Sequence, residues 1–267
     1  SRTEYHQDSL PWGYKELTIP ATAAGEFALD LHSLHIWPRQ HSMMIALPNP
    51  DRSFTATLFW PYDGPHGFGG LDDASAIRAR FERDYPDAAG LMPDLVDEFV
   101  ANPVGSLVTI RLWPWTIGSV GVIGDAAHAI VPFFGQGMNC AFEDVVELDR
   151  CLDEFDDDVV PALAECARRR KPHADAIADM ALENFVEMRD KVGSPWFRLA
   201  KRAEHGLERL DPSHFTSLYE LVSFTTIPYA EARRRGGLQR RVLGAIADSL
   251  DAVTAPFHRR VVHRRSP

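Results

Sequence analysis

One aspartate in this 267-residue chain stands where a short apolar run stops. Val120 to Ile123 is bounded by glycines and reads as a buried strand, and Gly124-Asp125 ends it. A carboxylate is thereby delivered at the carboxyl end of a strand, where open α/β sheets bind their ligands. Ala126, Ala127 and Ala129 follow, then Pro132, then Gly135 and Gly137 on either side of Gln136. Helical spacing begins after Gly137, with Phe142, Val145, Val146, Leu148 and Leu152 along one side. A loop of small residues feeding a helix amino terminus suits a polyanionic or electron-rich ligand, because unpaired N–H groups and the helix dipole point at it. The stretch predicts a nucleotide- or cofactor-binding turn. His128, inside it, reads as a hydrogen-bonded structural histidine rather than an acid or base.

The elements that must position this turn fall into two regions. The first third predicts strands at Lys15 to Ile19, Leu34 to Trp37, Met43 to Leu47 and Ser53 to Phe59, separated by Pro, Gly, Asn and Asp. Asn49-Pro50-Asp51-Arg52 reads as a hairpin turn. Alternation places Ile45 and Leu47 on one face, and Thr57 and Phe59 on another. Asp72 or Asp73 caps a helix that runs to about Tyr85 and is ended by Pro86. A short helix is expected from Pro93 through Val100, then a strand over Val108 to Trp113. Beyond Gly124 the pattern is helical: Met138 to Phe155, Val159 to Arg170, Pro172 to Lys191, Pro195 to Leu210, Pro212 to about Phe224, and Leu238 to Leu250. The expected division is a β-rich sheet region over 1–115, a strand–loop–helix over 116–156, and a helical region over 157–267.

Composition excludes several classes. The formal charge of −10 argues against a general nucleic-acid binder, which would need a basic face. Cys140, Cys151 and Cys166 form no metal-ligand or disulfide spacing, and free thiols suit a reducing compartment. The first residues show no signal-peptide core, and no apolar run reaches the roughly 18 residues of a membrane span. A cytoplasmic location is therefore expected. The arginines at 233–235, 240–241, 259–260 and 264–265 read as a solvated tail.

Gly124-Asp125 followed by Pro132-Phe133-Phe134-Gly135-Gln136-Gly137-Met138-Asn139 resembles the second flavin-binding motif of the single-component FAD-dependent aromatic hydroxylases. The wording through Phe142-Glu143-Asp144 is similar to the branch of that family that hydroxylates kynurenine. Further blocks carry the same likeness: Gly13 to Pro20, Leu34 to Arg39, Met43 to Asn49, Asn184 to Arg189, and Leu218-Tyr219. The fold class implied is α/β, α+β within this chain, with a substrate-domain sheet, a flavin-binding strand–loop–helix and a helical end. The activity implied is hydroxylation of L-kynurenine with FAD, NADPH and O₂, through a flavin hydroperoxide.

By resemblance, Asp125 accepts from the ribityl hydroxyls of FAD. Gly135, Gly137, Met138 and Asn139 lie by the flavin ring, and Pro132 shapes the cavity over it. Asn184, Tyr219 and Met188 contact the substrate, beneath an apolar roof of Ile45, Leu47, Phe59 and Phe133. No G-x-G-x-x-G follows a strand, and Gly64 to Gly70 lacks a flanking βαβ pattern. The family's nucleotide-binding segment is thus expected as a separate or preceding partner. Two other readings stand beside this one: a flavin hydroxylase of another aromatic substrate, and a non-catalytic chain that pairs with a nucleotide-binding polypeptide.

Overall fold

A computed structural model describes residues 3–71, 73–191 and 216–239. Its centre is a five-stranded antiparallel sheet built from β1 (Glu4–Ile19), β2 (His35–Pro38), β3 (Met43–Pro48), β4 (Phe54–Pro61) and β5 (Gly105–Trp113), in the order β2-β3-β4-β1-β5. Strand β1 starts well before the expected Lys15. Its polar first half has no apolar signal of its own, and pairing with β5 satisfies its backbone. The β1–β5 register shifts between Ser9 and Gly13, and Pro11 sits in that irregularity, where a missing N–H costs little.

The two faces of the sheet do different work. On one, Leu17, Ile19, Met44, Ala46, Ala56, Leu58 and Trp60 are buried. They pack against α1 (Ala74–Asp84), α2 (Pro86–Ala89) and α3 (Leu95–Ala101) through Ile77, Phe81, Tyr85, Leu95 and Phe99. Asp73 caps α1 by accepting from the Ala76 N–H at 3.0 Å. Buried Lys15 staples α3 to the sheet, donating to the carbonyls of Phe99 and Asn102.

The other face carries Trp12, Met43, Phe59 and Leu107. The register pairs Ile45 with Thr57 and Met43 with Phe59, so Ile45, Leu47, Thr57 and Phe59 share one face. This corrects the expected split into two faces, because directly paired residues of adjacent strands point the same way.

After β5 the chain makes a small hairpin, β6 (Thr116–Ile117) with β7 (Val120–Gly121), then α4 (Asp125–His128) and a 3₁₀ turn at Pro132–Phe134. The run expected as one buried strand from Val120 to Ile123 forms a strand only over its first two residues, and these are exposed, because their partner is the short surface strand Thr116–Ile117. Two long helices follow, α5 (Gly137–Glu154) and α6 (Val159–Val186), and α6 ends in a π-helical turn at Glu187–Lys191.

Pro172 was expected to divide α6 in two, yet the helix runs through it. Loss of one backbone hydrogen bond is outweighed by buried Ala167, Ala174 and Ile177 and by ion pairs from Arg169, Arg170 and Lys171 on either side. Ser217 caps α7 (Leu218–Ser223), and a further helix covers 229–239, where Arg233 pairs with Asp179 and Arg234 with Glu231. The expected helix from Pro195, the start at Pro212 and nearly all of the one from Leu238 lie outside the described residues.

Candidate flavin-binding loop and aromatic pocket

The polar half of the site grows from Gly124. Its φ of 60° with ψ of −145° is a conformation that glycine alone adopts readily, and it turns the chain so that Asp125 opens α4 with its carboxylate exposed. The 3₁₀ turn then ends at Gly135 in the left-handed region, φ 66°. A side chain there would enter open space, so the turn leaves room for a ligand above it. Helix α5 begins at Gly137 and runs for 18 residues, with its first N–H groups directed back toward the turn. Gln136 is buried at this junction, accepting from Tyr229 Oη at 3.0 Å and from Asn139 Nδ2 at 3.0 Å. A cleft of about 730 Å³ opens beside it, bordered by Asn139, Glu143, Arg170, His173 and Tyr229.

The apolar half lies across the sheet face. Phe133 stacks on Phe185 at 4.4 Å and lies 5.0 Å from Phe59. Trp12 meets Phe185 edge-on at 5.3 Å, and Met43, Leu107, Val131 and Met188 complete the cluster, with Ile45 half-buried at its margin. Asn184 joins the two halves. Its amide donates to the Phe133 carbonyl at 2.6 Å and lies 3.5 Å from Met188 Sδ, one helical turn on.

The Arg189 guanidinium, in the π-helical turn, covers Trp12 at 5.0 Å. Such turns recur where a helix must redirect side chains toward a site. Leu47, expected in the roof, is 48% exposed and stands outside the cluster, because it pairs with Thr55 near the turn end of the β3–β4 hairpin. Tyr219 is 49% exposed and stacks on Phe134 at 6.1 Å, and Phe134 packs at the margin of the cluster. Trp12, Met43, Leu107, Phe185 and Arg189 were not expected here. Trp12 lies before the expected start of β1 at Lys15, so it was not placed in the sheet at all.

Beneath the turn is a charged cluster that the sequence reading passed over. Asp144 on α5 is 0% exposed. Its Oδ2 accepts from the Gly124 N–H at 2.9 Å and lies 2.5 Å from His128 Nε2, while Oδ1 accepts from Arg170 Nε at 2.7 Å. Arg170 continues to Glu143 at 2.7 Å and to the Cys140 carbonyl at 3.1 Å.

Burial disfavours charge on His128, but hydrogen bonding to Asp144 and Cys140 overrides it and raises the imidazole to about 9. Burial likewise opposes charge on Asp144, and its bonds to His128 and Arg170 outweigh that and hold it below the usual carboxylate range. The available signal was a carboxylate on the helical stripe shared with Cys140 and Cys151, since a buried charge demands partners. A histidine pKa raised on folding stabilises fully below its unfolded value of about 6.5, and that stabilisation fades as pH climbs through about 9. The melting temperature of the parent should therefore exceed that of His128→Gln most near pH 6, with the gap narrowing toward pH 10. A gap independent of pH would show that the imidazole is neutral in the fold.

Residues 103–181 match the FAD binding domain family, spanning β5, the turn, α5 and most of α6. Kynurenine 3-monooxygenase of Salinispora tropica is 48% identical over 254 residues, covering 95% of this chain and 56% of the relative. That of Dictyostelium discoideum is 48% identical over 263 residues, covering 94% of this chain and 57% of the relative. The chain thus spans about half the length of the curated relatives it matches. Among solved structures, tetrameric 2-methyl-3-hydroxypyridine-5-carboxylic acid oxygenase superposes with a TM-score of 0.56 at 20% identity, over 72% of this chain and 52% of that one. Tetracycline destructase Tet(55) does so at 0.50 and 17% identity, over 78% and 54%. These two bear on the fold alone. Over about half of those relatives' length, this chain is therefore similar to kynurenine 3-monooxygenases, and residues 103–181 within it match the FAD binding domain family.

Proposed function

We propose that this chain forms the substrate-facing half of an enzyme that hydroxylates L-kynurenine to 3-hydroxykynurenine, using FAD, NADPH and O₂. The observation that carries the reading is the Asn184 bond to the Phe133 carbonyl, which joins the aromatic pocket to the cofactor turn within one hydrogen bond. Homology to named kynurenine 3-monooxygenases supports the substrate.

The residues present fit the cofactor. Asp125 would hold the ribityl hydroxyls. Gly135, Gly137, Met138 and Asn139 would border the flavin ring, with α5 N–H groups stabilising negative charge on its pyrimidine edge. Pro132, exposed at the start of the 3₁₀ turn, would border the cavity over the ring. Bound FAD, reduced by NADPH, supplies the oxygen-activating chemistry. The chain's own part is to orient the aromatic ring and exclude water. Phe133, Phe59, Ile45 and Met188 offer the apolar wall for that, while Asn184 and Tyr219 offer polar groups for the amino-acid end.

One surface supports a nucleotide-binding segment as partner. Met138, Phe142, Val145 and Val146 form an exposed stripe on α5, and Ile117 and Val120 of the hairpin are exposed as well. A stripe of this size is normally covered, and here it starts at the cofactor turn. The proposed cover supplies the pyrophosphate and adenosine contacts.

Three outcomes are expected. The chain expressed by itself should purify colourless, and take up FAD when the nucleotide-binding segment is supplied. An absorbance spectrum showing one FAD per chain without that segment would refute the division of labour. In the full-length protein, Asn184→Ala and Tyr219→Phe should each weaken kynurenine binding about ten- to a hundredfold, the worth of a hydrogen bond to a charged group. Calorimetry showing unchanged affinity in both would remove kynurenine from these positions. Phe133→Ala should release more peroxide and less product per NADPH oxidised, and an unchanged ratio would deny Phe133 a shielding role.

A further inference from the structure

Three parts of the chain converge on the Asp144 carboxylate. The Gly124 amide comes from the turn, His128 from the end of α4 and Arg170 from the middle of α6. Gly124 holds a backbone conformation open to essentially no other residue, and a Cβ there would lie 3.2 Å from the Ala141 Cβ. Such conformations persist only where the surroundings over-determine them. Here the determinant is a single acceptor that is buried and charged. Its two cationic neighbours keep the oxygens in place: Arg170 fixes Oδ1 while His128 and the Gly124 amide share Oδ2.

We propose that Asp144 is a positioning residue for the dinucleotide: clamped by His128 and Arg170, it holds the Gly124 amide and so sets where Asp125 presents its oxygens. This rests on the reading of Asp125 as the ribityl acceptor. Asp144 itself meets no cofactor atom, since it is buried beneath the turn. A metal is not the cluster's purpose, although ligand atoms of His128, Cys140 and Asp144 lie within 4.8 Å of one another. Arg170 already provides the cation, 2.7 Å from Asp144 and 3.4 Å from Cys140 Sγ, and it would repel a divalent ion.

The test is FAD titration of the apoprotein prepared from the full-length holoenzyme. Asp144→Asn keeps the shape and removes the charge, and His128→Gln removes one clamp. Ala162→Gly, buried against Cys151 and Cys166, serves as the stability control. Asp144→Asn should weaken FAD about tenfold or more, the scale of a lost charged hydrogen-bond partner. His128→Gln should weaken it in the same direction. Ala162→Gly, lying away from the turn, should stay within about twofold despite its loss of thermal stability.

If Asp144→Asn does not fold, His128→Gln decides. FAD affinities that merely follow melting temperature, as in Ala162→Gly, overturn the proposal. Asp125→Ala separates the two claims. Weakened FAD in Asp125→Ala with parental affinity in Asp144→Asn overturns the positioning role alone, whereas parental affinity in Asp125→Ala overturns the reading of the turn and the proposal with it.

Discussion

A carboxylate with no exposure to solvent costs several kcal/mol to bury unless charged partners reach it, and at Asp144 they do so from both sides. Much of the helical layer follows from this requirement. α6 must bring Arg170 against α5, so the two helices are locked in register, and the contacts of Cys151 with Ala162 and Cys166 fall into line beneath. α4 must end with His128 facing inward, where Trp115 packs over the imidazole at 5.0 Å. Gly124 must place its amide toward the same oxygen, and that fixes how the chain enters the turn. Removing either cation would leave a buried charge half-compensated. Such a network acts as one unit rather than as a sum of pairs.

The sheet provides the second constraint. One face is filled by Trp60, Phe81, Tyr85 and Phe99, and the opposite face carries a second buried cluster. Aromatic rings dominate that second cluster, with centroid separations of 4.4 to 5.3 Å among Phe133, Phe185, Phe59 and Trp12. Rings at such distances are in direct contact, and they offer water nothing to bond. Helix α6 serves both constraints. Its amino-terminal half carries Arg170 under the Gly124 turn, and its carboxyl-terminal half carries Asn184 and Phe185 into the aromatic cluster. One continuous helix through Pro172 thus links the charged cluster to the aromatic one.

Much of this was legible in the residues. Asp125 after an apolar run, and glycines around Gln136 before a helical stripe, marked the turn without any structure. Short apolar runs and alternation found all five main strands, β1 only in its second half, and an aspartate at 72 or 73 announced the start of α1 by the chemistry of its cap. Each of these signals is local, so the chain carries it in a few consecutive residues. The homology to flavin hydroxylases rested on such segments too.

What tertiary structure decided is what depends on distant partners. The polar first half of β1 becomes a strand only because β5 lies beside it. The faces of β3 and β4 merge into one because register, not alternation, sets which side chains meet. Pro172 fails to break α6 because ion pairs and burial on both sides outweigh one missing N–H. Asp144, His128 and Arg170 look like an ordinary acid, a structural histidine and a surface arginine until the fold brings them within 2.5 to 2.7 Å. Propensity and spacing are properties of neighbours in the chain, whereas the desolvation that makes a buried charge demand its partners exists only once the core has closed around it.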